Sequence, residues 1–176
     1  TGNLLQHFYN VADTLIVGRF LGAGALAAVG SSYTVMTFLT SVILGLCMGS
    51  GVLFSMLCGA GETERMKNSF VQSFFFIALV TGLVEGLALL LIDPMLAVFQ
   101  IPADILKDTK AYLQIIFIGL VFTFVYNYFA ALLRALGNSL VPLMFLAVSA
   151  LGNIVLGLVL ILEFHMGTAG AAWATI

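Results

Sequence analysis

Charged residues are scarce in this sequence of 176 residues. Six Lys and Arg and eight Asp and Glu make up 8% of the chain, whereas hydrophobic residues make up 62%. Soluble domains have about 25% charged residues, so this composition excludes an ordinary soluble domain. The sequence also has no block of basic residues, and nucleic-acid binding is therefore not expected.

Motifs of the common enzyme classes are missing as well. The sequence has no HExxH, GxSxG or P-loop pattern, and His7 and His165 have no carboxylate or cysteine at a catalytic spacing. Cys47 and Cys58 would lie about 16 Å apart along one helix, too far for a disulfide. We therefore expect no enzyme activity, no metal site and no cofactor. For energy coupling, ATP is not expected, which leaves an ion gradient or no energy coupling.

Long apolar segments account for most of the chain. A bilayer core about 30 Å thick needs about 20 apolar residues per helix, which predicts an all-α polytopic transmembrane bundle. The predicted helices cover residues 1–17, 31–57, 70–92, 112–136, 140–162 and 168–176. The first and last are short, and we expect five full helices and the start of a sixth, in a lobe truncated at both ends. Because three Lys or Arg fall on each side, the positive-inside rule does not orient the chain.

One face of the first predicted helix is polar. Asn3, Gln6, Asn10 and Asp13 follow spacings of three, four and three, which place them on one side of a helix. Such a face must meet protein or water, because lipid offers amides no hydrogen bonds. A carboxylate within a span is costly unless it has a partner, so Asp13 is a candidate ion or proton site. A structural polar contact with a neighbouring helix is the alternative.

Two later helices have polar faces with fewer polar residues than the first. In the fifth, Asn153 and Gly157 are four residues apart, and Asn153 is either a ligand or a contact between helices. In the fourth, Thr123 and Asn127 share a face with Arg134, which lies at the helix end and is expected to reach the membrane interface.

The second and third helices contain small residues at helical spacings. The second has a seam that another helix can pack against or slide along, formed by Gly45, Gly49, Gly51, Ser55 and Gly59. In the third, Glu85 stands between two glycines and is either part of a proton relay or placed near the headgroups or in a water-filled crevice.

Four motifs, in this order, resemble the first half of a MATE transporter, of the multidrug and toxic compound extrusion family: YNVADTLIVGRFLGAGALAAVG, GLCMGSGVLFSMLCGAGE, LLRALGNSLVPL and GNIVLGLVLILEFHMGTAGAAWAT. The resemblance covers nearly the whole chain. It implies twelve helices in two lobes, export of organic and often cationic compounds in exchange for Na⁺ or H⁺, and a location in the plasma membrane. It also implies that this chain is the amino-terminal lobe, with residues 62–69 and the ALGNS turn on the cytoplasmic side.

The resemblance also implies a site. The acidic residue of helix one in the family falls on Asp13, and Asn153 and Thr175 match two further positions of the amino-lobe site. The family has an aspartate where this chain has Gly157. With one carboxylate fewer, H⁺ coupling through Asp13, or coupling in the missing lobe, is favoured over a strong Na⁺ site.

Substrate is expected in the cavity between the lobes, lined by Tyr9, Asn10 and Asn127. The expected partners are membrane lipid, a small organic substrate and the missing carboxy-terminal lobe. A lipid or polysaccharide flippase of the same superfamily, and a non-transporting membrane scaffold in which Gly157 marks decay of the ion site, remain as alternatives.

Overall fold

The computed structural model describes residues 14–98 and 100–176, and the described part of the chain contains helices and no strands. A helical stretch at residues 14–20, α1, comes first. The helices after it are α2 (Gly22–Gly59), α3 (Thr63–Leu90), α4 (Ile92–Val98), α5 (Leu106–Ile118), α6 (Leu120–Ala135), α7 (Leu140–Leu162) and α8 (Gly167–Thr175).

Three of these helices, α2, α3 and α7, are long and apolar enough to cross a membrane. The pair α5 and α6 makes a fourth candidate span, bent by 40° where the two helices meet. These helices confirm the prediction of an all-α transmembrane bundle. Because consecutive spans alternate in direction, residues 60–62 and 136–139 lie at one end of the bundle, called end A. Residues 91–105 and 163–166 lie at the opposite end, end B.

Helix α2 begins nine residues before the predicted start at residue 31. The Gly- and Ala-rich residues 22–30, which lie between the first two predicted helices, are themselves helical, because Ala has the highest helix propensity and small residues permit close packing. Ala25 and Ala28 are buried, and a Cβ at Gly24 would lie 3.7 Å from the Ile105 side chain. With 38 residues, α2 is about 57 Å long.

The third and fourth predicted spans also begin earlier in the structure. Helix α3 starts at Thr63 instead of residue 70, because the polar residues 63–69 form its first turns. Two ion pairs support these turns, Arg65–Glu62 at 2.6 Å and Lys67–Glu64 at 2.7 Å. The fourth span starts at Leu106 instead of residue 112 and is interrupted at Gly119. Helix α7 has the predicted bounds.

A cluster of aromatic rings joins α2, α3 and α6, and we call it the aromatic core: Phe54, Phe70, Phe74, Phe124 and Tyr128. Tyr128 is fully buried, and its ring meets Phe54 edge to face at 5.9 Å. Its hydroxyl donates to the Phe70 carbonyl at 2.6 Å and lies 2.6 Å from the Ser73 hydroxyl. The one polar atom of this ring is therefore satisfied inside an apolar cluster.

Only part of the glycine seam on α2 is used for close packing. A Cβ at Gly51 would lie 3.1 Å from the Ala131 Cβ of α6, so the two helices approach closely there. Within the described part of the chain, nothing comes within 4 Å of a Cβ at Gly45, Gly49 or Gly59. The seam is therefore a single helix contact at Gly51 and an open face elsewhere.

A second buried cluster, the α8 core, joins α1, α2, α5, α7 and α8: Val17, Ala25, Tyr112, Ile116, Ile161, Ala171 and Ala172. Helix α8 packs against both α7 and α5. Its buried face is made of small residues, so its backbone lies close to its neighbours. This position brings the last residues of α8 into the interior of the lobe.

Candidate functional site

The predicted site has residues on several helices, and three of them lie outside the described residues. These are Asp13, Tyr9 and Asn10. Along the chain, the first described residue that belongs to the α8 core is Val17, which is fully buried. The role of Asp13 in ion or proton binding stays a prediction, and so do the lining roles of Tyr9 and Asn10.

Asn153 and Thr175, called the polar pair below, are brought together by the packing of α7 on α8. The Asn153 side-chain amide donates to the Thr175 hydroxyl oxygen at 3.4 Å. The Thr175 hydroxyl in turn donates to the Ala171 carbonyl at 2.9 Å, one turn back in α8. Asn153 is only 5% exposed. The polar pair offers neutral oxygen atoms to a cation, and the negative charge of any ion site must come from another residue.

Gly157 lies one turn after Asn153 on α7 and is also buried. A Cβ at this position would be 3.7 Å from the Ala174 Cβ, which is an ordinary contact. The position where the MATE resemblance places a second carboxylate therefore faces α8, beside the residue that precedes Thr175. It carries no side-chain oxygen in this chain, although a β-carbon would fit there.

Asn127 is half-buried and bonded within its own helix. Its side-chain amide donates to the Thr123 carbonyl at 2.8 Å, and the Thr123 hydroxyl donates to the Gly119 carbonyl at 3.3 Å. Both side chains thus bond to the backbone one turn earlier along α6. Arg134 is exposed in the last turn of α6, as expected for a side chain at the interface.

Glu85 is half-buried on α3 and has no hydrogen bond or ion pair among the described residues. Thr81, one turn earlier, is 1% exposed, and its hydroxyl oxygen has no partner in the described part of the chain. No chain of hydrogen bonds leads from these residues to another carboxylate among residues 14–98 and 100–176. The proton-relay interpretation of Glu85 therefore stays a prediction.

A small cavity of about 240 Å³ lies at end B, where the α1–α2 turn meets the α7–α8 turn. It is lined by Phe20, Leu21, Ile161, Leu162, His165 and Gly167. The lining is mostly apolar, with one imidazole. His165 has a positive φ of 51°, which is uncommon for a residue other than glycine.

Sequence reasoning missed a contact next to the polar pair, between Ile176 and Gly119. A Cβ at Gly119 would lie 2.9 Å from the Ile176 Cβ, closer than real Cβ contacts. The available signal was a single glycine in an apolar helical pattern, FIGLVF, which marks either a bend or a close approach. Which residue approaches it depends on the tertiary fold and could not be read from the sequence.

Taken together, the described helices form a polytopic membrane lobe with a neutral polar pair buried between two of its helices. The sequence matches the MatE family over residues 1–159. The chain therefore belongs to the MatE family, and the resemblance to MATE transporters is confirmed. Its location as a multi-pass protein of the plasma membrane is confirmed with it.

Two named relatives and a solved structure agree with this assignment. The chain is 38% identical over 178 residues to the probable multidrug resistance protein YpnP of Bacillus subtilis (strain 168). The matched region covers 99% of this chain and 39% of YpnP. It is 30% identical to the probable multidrug resistance protein YoeA of the same organism, covering 99% of this chain and 38% of YoeA. A crystal structure of MATE in the bent conformation superposes with a TM-score of 0.91 at 25% identity, covering 99% of this chain and 39% of that one.

The chain thus spans about two fifths of the length of the curated relatives that it matches. This share fits one lobe of a two-lobe protein, and the chain constitutes the amino-terminal lobe.

Proposed function

We propose that this chain is the amino-terminal lobe of a secondary antiporter that exports organic, often cationic compounds in exchange for H⁺ or Na⁺. The names of its relatives support export of drugs, since YpnP and YoeA are both described as probable multidrug resistance proteins. The single observation within the lobe that carries the proposal is the hydrogen bond between Asn153 and Thr175. It joins two residues far apart in sequence at the position where an amino-lobe ion site is expected.

Asp13 supplies the charge in this proposal. Asp13 precedes the buried Val17 by four residues, and helical spacing predicts the same inward face for both. A carboxylate on that face would lie in the lobe interior, where its negative charge needs a proton or a cation as partner. Asn153 and Thr175 then provide neutral oxygen ligands beside it.

The proton is favoured as the coupling ion because Gly157 contributes no oxygen. A Na⁺ ion prefers several oxygen ligands, including charged ones, whereas a single carboxylate suffices to hold a proton. The bound ion changes the balance between outward-open and inward-open shapes only by its different affinity for the two. Substrate would bind between this lobe and the rest of the protein, with Tyr9, Asn10 and Asn127 as proposed lining residues.

The test is a count of the protons released when a dye substrate binds to the purified full-length protein that contains this chain. We expect about one proton per bound dye in the unchanged protein and none in Asp13→Asn, because a side-chain amide does not release a proton near neutral pH. Asp104→Asn is the matched control, since it makes the same change of a carboxylate to an amide at an exposed residue outside the spans and should leave the count unchanged. The same count in Asp13→Asn and in the unchanged protein would remove Asp13 from the mechanism.

The flippase alternative is separated by transport assays in vesicles. Helices α2 and α7 contain no Lys or Arg, and the Lys and Arg of α3, α5 and α6 lie close to the ends of the spans. The middle of the described spans therefore offers little positive charge for an anionic lipid headgroup. We expect dye efflux and no translocation of labelled lipid. Lipid translocation without dye efflux would favour the flippase instead.

A further inference from the structure

The bend between α5 and α6 is centred on a buried glycine. The Gly119 amide donates to the Ile115 carbonyl at 3.1 Å, so the backbone bonding of α5 continues up to the bend. The Gly119 carbonyl accepts two bonds, from the Thr123 amide at 3.1 Å and from the Thr123 hydroxyl at 3.3 Å. A side-chain hydroxyl that bonds back to the preceding turn often bends a helix. The 40° bend therefore has a local cause in the sequence.

The absence of a side chain at Gly119 leaves a notch in this bent span, and Ile176 fills it. A Cβ at Gly119 would lie 2.9 Å from the Ile176 Cβ and 3.1 Å from the Ile116 carbonyl oxygen. Real Cβ atoms essentially never come within 3.0 Å of a neighbour, so Ile176 occupies this position only because residue 119 is glycine. The fit is thus specific to this pair of residues.

Ile176 follows directly after Thr175, the α8 member of the polar pair. Two adjacent residues therefore contact two different spans: Thr175 holds Asn153 of α7, and Ile176 fits the notch at Gly119. The rest of α8 is packed through Ala171 and Ala172 in the α8 core. Thr175 and Ile176 are neighbours in a packed stretch of the chain, so a shift of Thr175 carries Ile176 with it.

We propose that the adjacent residues Thr175 and Ile176 couple the polar pair to the α5–α6 bend: when the contact between Asn153 and Thr175 changes, Ile176 moves in the Gly119 notch and the bend changes with it. Ile176 and Gly119 are positioning residues in this scheme, because neither contacts the ion. The coupling rests on the proposed function in one respect: ion binding is the event that changes the contact of the polar pair in the cell.

Packing gives this coupling two discrete arrangements. With Ile176 in the notch, the buried surfaces of α8 and the bent span are in contact. With Ile176 withdrawn, the notch is an apolar void, which costs free energy unless the span straightens or shifts to close it. Packed contacts switch between two arrangements instead of deforming gradually. A small shift at the polar pair can therefore produce a larger change at the α5–α6 bend.

The first experiment observes Ile176 directly. Full-length protein that contains this chain is labelled with ¹³C at the isoleucine δ1 methyl groups, and Ile176→Val identifies the Ile176 resonance by its loss. We expect Asn153→Leu, which removes the amide that donates to Thr175 but keeps a side chain of similar size, to shift that resonance. The resonances of Ile43 and Ile77, buried beside the aromatic core, are the controls and should stay in place. An unmoved Ile176 resonance in Asn153→Leu would overturn the proposal.

The second experiment tests the notch by steric exchange. We expect Gly119→Ala to lower the midpoint of thermal unfolding and to shift the Ile176 resonance, because the added methyl displaces Ile176. The double variant Gly119→Ala/Ile176→Ala should regain most of the midpoint, since the smaller side chain makes room for the methyl. Gly45→Ala is the matched control, because a Cβ there meets nothing within 4 Å in the described part of the chain. Additive losses in the double variant would show that the two residues are not in contact and would overturn the proposal.

Both experiments are done without a transported compound. If the proton count contradicts a role for Asp13 while Asn153→Leu still shifts the Ile176 resonance, the proposed function fails and the coupling through α8 stands. If the proton count is as expected and Ile176 does not respond, the coupling fails and the proposed function stands.

Discussion

Tyr128 is the residue on which the packing of α3 against α6 depends most clearly. Its hydroxyl bonds the Phe70 carbonyl and the Ser73 hydroxyl inside the aromatic core. We expect Tyr128→Phe to lower the free energy of unfolding by about 0.5–1.5 kcal/mol, because a buried hydrogen bond is lost while the ring packing is kept and the Ser73 hydroxyl retains its bond to the Ser69 carbonyl. Chemical or thermal unfolding in detergent measures this difference.

Tyr33→Phe is the control for this prediction. Tyr33 is 52% exposed on α2, so removal of its hydroxyl should change the unfolding midpoint little. Equal losses in the two variants would mean that the buried hydroxyl of Tyr128 contributes nothing specific to stability.

Gly157 gives a prediction about the choice of ion. A side chain at this position has room for its β-carbon beside Ala174, close to the polar pair. We expect Gly157→Asp to make efflux dependent on Na⁺, with an apparent Na⁺ affinity about tenfold higher, or roughly 1.4 kcal/mol. The physical reason is the added charged oxygen, which a Na⁺ ion needs and a proton does not.

Efflux from vesicles at constant pH and varied Na⁺ concentration checks this prediction. Gly157→Asn is the matched control, because it adds a side chain of the same size without the charge. Na⁺ dependence in Gly157→Asn as well would assign the effect to shape instead of charge. If the unchanged protein has no efflux and Gly157→Asp creates it, the scaffold alternative gains support.

The residues of the candidate site were only partly predictable from the sequence. The spacing of polar residues and the family resemblance both indicate Asn153, whereas Thr175 is indicated by the resemblance alone. Each is a polar residue in apolar surroundings. The notch at Gly119 was not predictable, since an apolar Ile176 and a lone glycine carry no chemical signature. Their pairing arises only when α8 packs across α5, which is a contact between residues 57 positions apart.

At the scale of elements, the crossing of α2 and α6 at Gly51 predicts a large difference between two glycines of one helix. We expect Gly51→Val to lower the free energy of unfolding by about 1–3 kcal/mol, because added methyl groups would overlap Ala131. Gly49→Val should have no such cost, since its Cβ meets nothing within 4 Å in the described lobe. Thermal unfolding of the two variants provides the comparison, and similar midpoints would contradict the close crossing.

The length of the apolar segments predicts that most of the helices exist, but it does not predict where they begin and end. The bounds of α7 match the prediction because Ser139 and Pro142 mark its start and Glu163 its end. The prediction places the start of α2 nine residues too late, because glycines are typical of connections between helices. In the structure, buried Ala25 and Ala28 stabilise the helix through packing, and packing overrides the low propensity of the nearby glycines.

At the scale of the whole molecule, the alternating spans and the family resemblance together predict an orientation. End A carries residues 60–62 and is expected in the cytoplasm, so a cysteine at Glu64 should be protected from an impermeant maleimide in intact cells. A cysteine at Asp104, at end B, should be labelled. Both residues are exposed, and Cys47 and Cys58 are first replaced so that each variant has one thiol. Labelling of Glu64→Cys without Asp104→Cys would reverse the orientation.

The length of α2 has a consequence for how the lobe sits in its membrane. A helix of about 57 Å exceeds the full thickness of a typical bilayer, about 40–45 Å with its headgroups. To keep its ends close to the two surfaces, α2 must tilt or protrude by several turns. Because α3, α5 and α6 all pack against α2, they follow its inclination, and a thicker or thinner bilayer would rotate the entire lobe instead of one helix.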